Sequence, residues 1–371
     1  MFDFVIVGGG VYGAAVAWHL GSSGAQVCLL DERDLATRAS GGPGRRGVRA
    51  NGRDVRELPL MAAAYELWPT LHERLEAPRF YERCGQLLLA ETDVDLARAQ
   101  AMLWMQRARG IPTEWLDADA LREYEPGVTE SARGALFCPL DGVADHTATT
   151  LAYARAAERV GVTVRRFTRV DELNVENGRC TGVTTASGER IAARRGVLVL
   201  ANAKVAALVS PWVELPVWNE CFQVLVSEPM AHVPFRHLTG HLSRTISLKP
   251  DGEDRVMISG GWRGIWDGTR EEGETTVAAV AGNVADAVAV YPALEGLQVS
   301  VADASHQETL SVDDIPIVDC VPGVGNCWYA AGWCGHGWAI APVIAEYLSG
   351  WALSGTPPAQ LEPFSLRRFT G

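Results

Sequence analysis

Gly8, Gly10 and Gly13 form a G-x-G-x-x-G. Three glycines at this spacing can hold an anion on bare backbone. The first permits a tight turn, the second lets a pyrophosphate approach the main chain, and the third allows a helix to pack closely on a strand. The flanking residues suit that chemistry. Val5-Ile6-Val7 is an apolar run of the kind buried on both faces of a parallel sheet. Residues 14–20 read as a helix ended by Gly21 to Gly24, and residues 26–30 as a second strand. That strand ends at Asp31, 23 residues after Gly8, where a carboxylate can accept both ribose hydroxyls. The unpaired N–H groups and dipole of a helix N-terminus favour phosphate. The reading is a dinucleotide site with Gly8, Gly10, Gly13 and Asp31 as contacts and Glu32 beside them.

A second glycine cluster, Gly332-Trp333-Cys334-Gly335-His336-Gly337-Trp338, stands between an expected strand at 328–331 and a helix running to about Leu348. It brings another helix N-terminus and flexible backbone towards the cofactor. A nicotinamide dehydrogenase has no need of such an element, so the cluster points to FAD. Segment 34–56 is rich in Gly and Arg without apolar periodicity, and a long loop of that kind is usually functional or disordered.

The elements that position these residues follow from patterning. Residues 57–77 have helical spacing, with Leu60, Ala64, Leu67, Trp68 and Leu71 on one face. Strands are expected at 79–90, 133–140, 162–167 and 196–200, helices at about 94–109, 118–124 and 147–160, and a hairpin at 171–186 around Asn177-Gly178. Residues 213–310 are strand-rich with one helix near 276–291. The expected fold is α/β: a discontinuous Rossmann-like domain (1–80, 141–210, 312–371) and an α+β substrate domain with a mixed sheet (81–140, 211–311).

Composition excludes several classes. With 371 residues, 47% of them hydrophobic and 21% charged, the chain reads as globular, of about two domains. A formal charge of −12 disfavours nucleic acid, whose binders carry basic faces. Only Lys204 and Lys249 are lysines. The eight cysteines are scattered, with no CxxC, so neither a disulfide framework nor a structural metal is expected. The chain starts on a strand, and no apolar run approaches the roughly 20 residues of a membrane span. A soluble, cytoplasmic protein is expected.

The sequence resembles the D-amino acid oxidase/sarcosine oxidase/glycine oxidase family of FAD enzymes. The matching stretches are VIVGGGVYGAAVAWHL, LLDER, DGVADHTATTLAYARAAERVGV, ELPVWNECFQVLVSEP, VDDIPIVD, YAAGWCGHGWAIAP and EPFSLRRF, in family order along nearly the whole chain. LAYARAAERVGV and LPVWNECFQVLVSEP look most like sarcosine oxidase β subunits. The resemblance implies FAD and oxidation of a C–N bond. It assigns the ADP half to Gly8, Gly10, Gly13 and Asp31, the adenine end to the Val170 backbone, and the flavin ring to the segment 332–338. Gly332, Gly335, Gly337 and Trp338 are the expected contacts there, and Ser40, Gly41, Arg46 and Ala201 complete the set. His336 would add charge near the flavin.

The departures from the family pattern are informative. The cysteine that tethers flavin in monomeric sarcosine oxidases is replaced by Ser305-His306-Gln307, so the FAD is expected to be non-covalent. The common Arg-Asn of the flavin loop reads Pro43-Gly44. The carboxylate-binding Arg of related oxidases falls on Glu308, and the carboxylate-binding Lys on Ala339. Arg45 and Arg49 are the expected replacements, since a guanidinium binds carboxylate bidentately. His146 occupies the place where heterotetrameric β subunits carry a covalent FMN, an alternative this reading leaves open beside an ordinary helix entry.

The expected activity is oxidation of an amine or N-substituted amino acid to an imine, with Arg45, Arg49, Glu308 and His336 around the substrate and O2 reoxidising the flavin to give H2O2. Two alternatives remain: a subunit of a hetero-oligomeric dehydrogenase passing electrons to partner chains, and a flavin-binding protein without catalysis. The expected partners are a small-molecule amine, an electron acceptor and further subunits, like or unlike.

Overall fold

The computed structural model describes residues 1–42 and 44–370; Pro43, expected in a flavin loop, lies outside the described residues, as does Gly371. Strand Phe2–Val7, helix Val11–Ser22 and strand Val27–Leu30 form the expected βαβ unit. Phe4 to Val7 pair in parallel with Val27 to Leu30 on one side and with Gly196 to Val199 on the other. Strands Thr163–Arg165 and Cys327–Ala331 add in parallel, outside Val27–Leu30 and Arg190–Val199 respectively. The hairpin Val170–Glu176/Arg179–Thr185 and strand Ile317–Cys320 complete an eight-stranded sheet. Its central strands are buried on both faces, which is why they read as unbroken apolar runs.

Helix Val11–Ser22 packs between the sheet and the helices His146–Arg159 and Ala341–Ser354. Gly21 lies within this helix instead of ending it. A Cβ there would come 2.7 Å from Val162 and 2.8 Å from Val160, so glycine is required where the helix meets the segment just after His146–Arg159.

The second sheet has ten strands drawn from residues 86–138 and 217–311. Helix Val277–Val290 covers one face and buries Ala287 and Val290 against Leu225, Leu248 and Ile258. Strand Gln307–Ser311 pairs antiparallel with the first half of Val217–Ser227. A small third sheet joins Arg45–Val48, Gly142–Asp145 and Tyr81–Glu82.

Several elements differ from the sequence expectation. The long loop 34–56 contains the strand Arg45–Val48, whose partner lies about a hundred residues on and leaves no local signal. The helix expected over 57–77 breaks into Leu58–Leu67, a 3-10 turn Trp68–Thr70 and Leu71–Arg74, because Pro69 has no N–H to continue the ladder. The strand at 79–90 divides at Gly85 (φ +75°) into Tyr81–Glu82 and Gln86–Ala90, which join different sheets. Strand Glu114–Asp117 was not expected. The last helix runs on to Ser354, closed by Gly355 in the left-handed conformation. Among the described residues no helix is long and apolar enough to cross a membrane.

A Cβ at Gly13 would collide with the Gly8 carbonyl oxygen. Gly13→Ala is therefore expected to separate helix from strand and to lower unfolding free energy by at least about 1–3 kcal/mol, read by denaturant unfolding. Unchanged stability would mean that the helix does not need this close approach.

Candidate functional site

A cavity of about 490 Å³ opens where the parallel strands end, at Val7, Leu30 and Leu200. Sites in open α/β sheets occur at this edge because crossover loops converge there. Gly8 (φ +104°) makes the turn out of the first strand, and a Cβ on it would come 2.5 Å from the Leu200 carbonyl oxygen. Gly10 faces open space within 4 Å and no side chain caps the helix that follows. The helix N-terminus is thus left bare towards the cavity. Asp31 accepts N–H bonds from Gly9 (2.6 Å) and Arg33 (2.8 Å). Burial raises its carboxyl above the usual range, against these two bonds.

Gly8, Gly10, Asp31, Glu32, Val170 and Ala201 line the cavity. At the far end Ser40, Arg46, Glu308, Gly335, Gly337 and Trp338 line it too. Six other expected site residues do not. Gly13 lies behind the helix contact. The Gly41 carbonyl accepts a bond from Arg46 (2.8 Å), and Gly332 (φ +74°) packs on Ser311.

Arg45 points outwards to Glu82 (3.0 Å), because neighbours in a strand face opposite sides; Arg46 takes the inner side. Its guanidinium donates to the carbonyls of Ser40 (3.2 Å), Gly41 and Gly42 and so fixes the turn at these residues. Arg49 donates to the Asn51 carbonyl (2.5 Å). His336 turns away from the cavity towards a buried pair, Arg53 and Glu57 (3.0 Å apart). Its Nδ1 lies 3.4 Å from Glu57, while Arg53 donates to the His336 carbonyl (2.6 Å). Arg45, Arg49 and His336, expected around the substrate, thus do not border this cavity. Instead, His336 borders a separate recess of about 450 Å³ with Gly52, Arg98 and Asp314.

Residues outside the sequence reading also shape the site. Tyr12 stacks on Trp333 (centroids 3.8 Å apart, 14° between planes) and its hydroxyl donates to the Gly337 carbonyl (2.5 Å). This joins the two glycine segments. Arg38, Lys204 and Glu271 form one rim: Lys204 pairs with Glu271 (2.9 Å) and Arg38 donates to its carbonyl (2.8 Å). Arg53 and Glu57 stand four residues apart, but Arg53 precedes the helix that starts at Leu58, so the spacing carries no helical signal. The Tyr12 contact crosses 325 residues and has no signal either.

Two polar atoms in the wall bear on what the cavity holds. His146 Nε2 and Trp338 Nε1 are buried without a hydrogen-bond partner, and buried polar groups normally have one. The rings meet edge-on at 6.0 Å. Burial, aided by Arg46, pushes His146 down to about 3, so it is a neutral imidazole. A heteroaromatic ligand with donors and acceptors at its edge would satisfy both atoms. A dinucleotide therefore fits: bare helix N-terminus for the phosphates, a carboxylate for the ribose and unpartnered polar atoms at the ring end.

Comparison with known proteins agrees with this geometry. The profile of the family described as FAD dependent oxidoreductase (DAO) matches residues 3–351. The chain is 26% identical to the sarcosine oxidase subunit beta of Arthrobacter sp over 380 residues, covering 99% of this chain and 91% of that one. It is 28% identical to the N-methyl-L-tryptophan oxidase of Salmonella newport (strain SL254), covering 100% and 99%. Among solved structures, L-proline dehydrogenase from P.horikoshii superposes with a TM-score of 0.89 at 21% identity, covering 100% and 98%, and shares the fold.

Asp31→Ala is expected to weaken FAD binding by about 1–3 kcal/mol, as its Gly9 and Arg33 donors lose their acceptor along with the ribose. Calorimetric titration of the apoprotein measures it. Equal affinity for both proteins would remove Asp31 from the site.

Proposed function

The chain belongs to the FAD dependent oxidoreductase family, and on that premise we propose that it oxidises the C–N bond of an amine carrying an anionic group. N-substituted amino acids are the favoured class. One observation carries this reading. Arg46, Arg49 and Lys249 stand close enough for the two guanidiniums to depress the lysine, yet among the described residues none has a carboxylate in salt-bridge contact. Lys249 is 3% exposed and reaches only the hydroxyls of Ser247 (3.4 Å) and Ser259 (3.3 Å). Buried charge without a counterion is costly, and a substrate carboxylate relieves that cost. Arg49 and Lys249 are the proposed anchors; neither lines the cavity, and their neighbour Arg46 does. This replaces the expected pair Arg45 and Arg49.

Bound FAD supplies a two-electron acceptor. The residues of this chain need only orient the substrate and keep its amine neutral, which the surrounding positive charge favours. Glu308, expected to select the substrate, has both oxygens engaged by protein donors and is left out of the substrate contacts. The proposed domains remain 1–80, 141–210 and 312–371 for the cofactor and 81–140 with 211–311 for the substrate. Reoxidation by O2 is the proposed fate of the electrons. The likeness to sarcosine oxidase β subunits supports a second reading, transfer to a partner subunit; copurifying chains with little peroxide would favour it.

Anaerobic mixing with paired compounds tests the substrate class. N-methyl amino acids should bleach the flavin's visible absorption, and the corresponding decarboxylated amines should not. Equal bleaching by both members of a pair would remove the anionic anchor, and bleaching by neither would point to a binding protein. Because no cysteine stands at the tether position, acid precipitation should leave the colour in the supernatant. Colour in the pellet would implicate His146 or His306.

Lys249 gives a pH dependence. Burial first, then Arg46 and Arg49, lower it to about 7; a bound carboxylate raises it again. Above that pH the free protein has lost the proton that binding requires. Affinity for an inert carboxylate ligand should therefore fall above about pH 7, by up to about tenfold per pH unit. Lys249→Met should flatten the profile. A wild-type profile flat through this range would exclude Lys249 as an anchor.

A further inference from the structure

Glu308 lies on strand Gln307–Ser311 of the second sheet, yet its carboxylate sits in the cavity wall, 7% exposed. Oε2 accepts from the Ser40 hydroxyl (2.7 Å) and the Asn202 amide (3.2 Å), and Oε1 from the Gly335 N–H (3.2 Å). These donors come from three different segments: the loop after Val27–Leu30, the turn after Arg190–Val199 and the loop after Cys327–Ala331. Each segment borders the cavity. Among the described residues no Arg, Lys or His is in salt-bridge contact with Glu308. Its carboxylate is held by these three hydrogen bonds, with the Arg46 guanidinium attracted to it at longer range and Tyr12 and Cys334 within its field.

The geometry around the carboxylate is specific. Asn202 takes a positive φ (+44°) and uses both ends of its amide, donating to Glu308 and accepting from the Thr309 N–H (3.3 Å). Gly335 also has positive φ (+74°), and a Cβ on it would collide with the Phe222 ring. Glycine is thus needed for its N–H to reach Oε1. The Gly335 donor of the second glycine cluster is spent on a carboxylate, and is not offered to an electron-rich ligand.

We propose that Glu308 is a positioning residue that clamps these three segments together and fixes a carboxylate without a salt-bridge partner beside the ring end of the cavity, making the bound flavin a weaker electron acceptor. Reduction places added negative charge on the flavin, and a nearby fixed carboxylate opposes it. The inference rests on the flavin occupying the end of the cavity bounded by Gly335 and Trp338, as proposed above.

The test uses FAD-loaded protein and two readouts apart from turnover: the flavin midpoint potential, and affinity for sulfite, which reports flavin electron deficiency. Glu308→Gln keeps the length and removes the charge. The potential should rise, and sulfite should bind about tenfold more tightly or better. Glu308→Asp keeps the charge on a shorter arm; its potential should stay near that of the wild type while FAD binds more weakly. An unchanged potential and sulfite affinity in Glu308→Gln would overturn the proposal. Should that variant yield no loaded protein, Ser40→Ala and Asn202→Ala are measured instead. Each strips a donor from the carboxylate and should lower the potential, and no lowering in either is the overturning result. Failure of every N-substituted amino acid to reduce the wild type would remove the substrate class and leave the potential shift standing. A flat potential with normal substrate reduction would do the reverse.

Discussion

A helix can aim its N-terminus into a cavity from the end of a strand only if no side chain stands where the two meet. In this protein that contact is between Gly13 and the carbonyl of Gly8, with Gly8 itself against the Leu200 carbonyl. Everything at the site depends on it. It sets the helix over the sheet, leaves the first-turn N–H groups without a side-chain cap, and opens the space at Gly10. It also brings Tyr12 under Trp333, so the second glycine segment is located by the first. Helix packing continues the same theme at Gly21, where the absent Cβ admits Val160 and Val162.

The second sheet supplies charge where the first supplies backbone. Its strand Gln307–Ser311 sends Glu308 into the cavity wall, while the next residue, Thr309, donates to Asn219 across the strand pair (2.8 Å). The small third sheet does likewise with arginines. Successive residues of Arg45–Val48 face opposite ways, so one guanidinium meets Glu82 at the rim and the next closes the turn at Gly41 and Gly42. Carboxylate and cations therefore approach the cavity from different elements. The carboxylate is held by neutral donors, Arg46 and Arg49 by carbonyls and Lys249 by hydroxyls. The proposed anionic substrate and the proposed effect of Glu308 on the flavin both rest on this arrangement.

Arg53 and Glu57 act on the site without touching its cavity. Both are almost fully buried, and Arg53 holds the backbone of His336. A buried ion pair adds little stability by itself. Its effect here is positional, since the loop it fastens carries Gly335 and Gly337 in the cavity wall.

The sequence alone determined the features that are local or that repeat with a period. The G-x-G-x-x-G between strand and helix, Asp31 at the next strand end, the second glycine cluster and most helices were legible because each is written within about thirty residues. The family resemblance and FAD followed from them. What only the tertiary structure decided lies between distant segments. Which of three neighbouring arginines faces inwards depends on the pairing of Arg45–Val48 with Gly142–Asp145. That pairing has no signature in a stretch of Arg and Gly. Lys249 reads as an ordinary strand residue until the fold brings Arg46 and Arg49 near enough to depress it. Glu308 reads as an inverted substrate anchor until Ser40, Asn202 and Gly335 occupy its oxygens. A side chain's charge is fixed by its type, but what that charge meets is fixed by contacts that the chain makes only once folded.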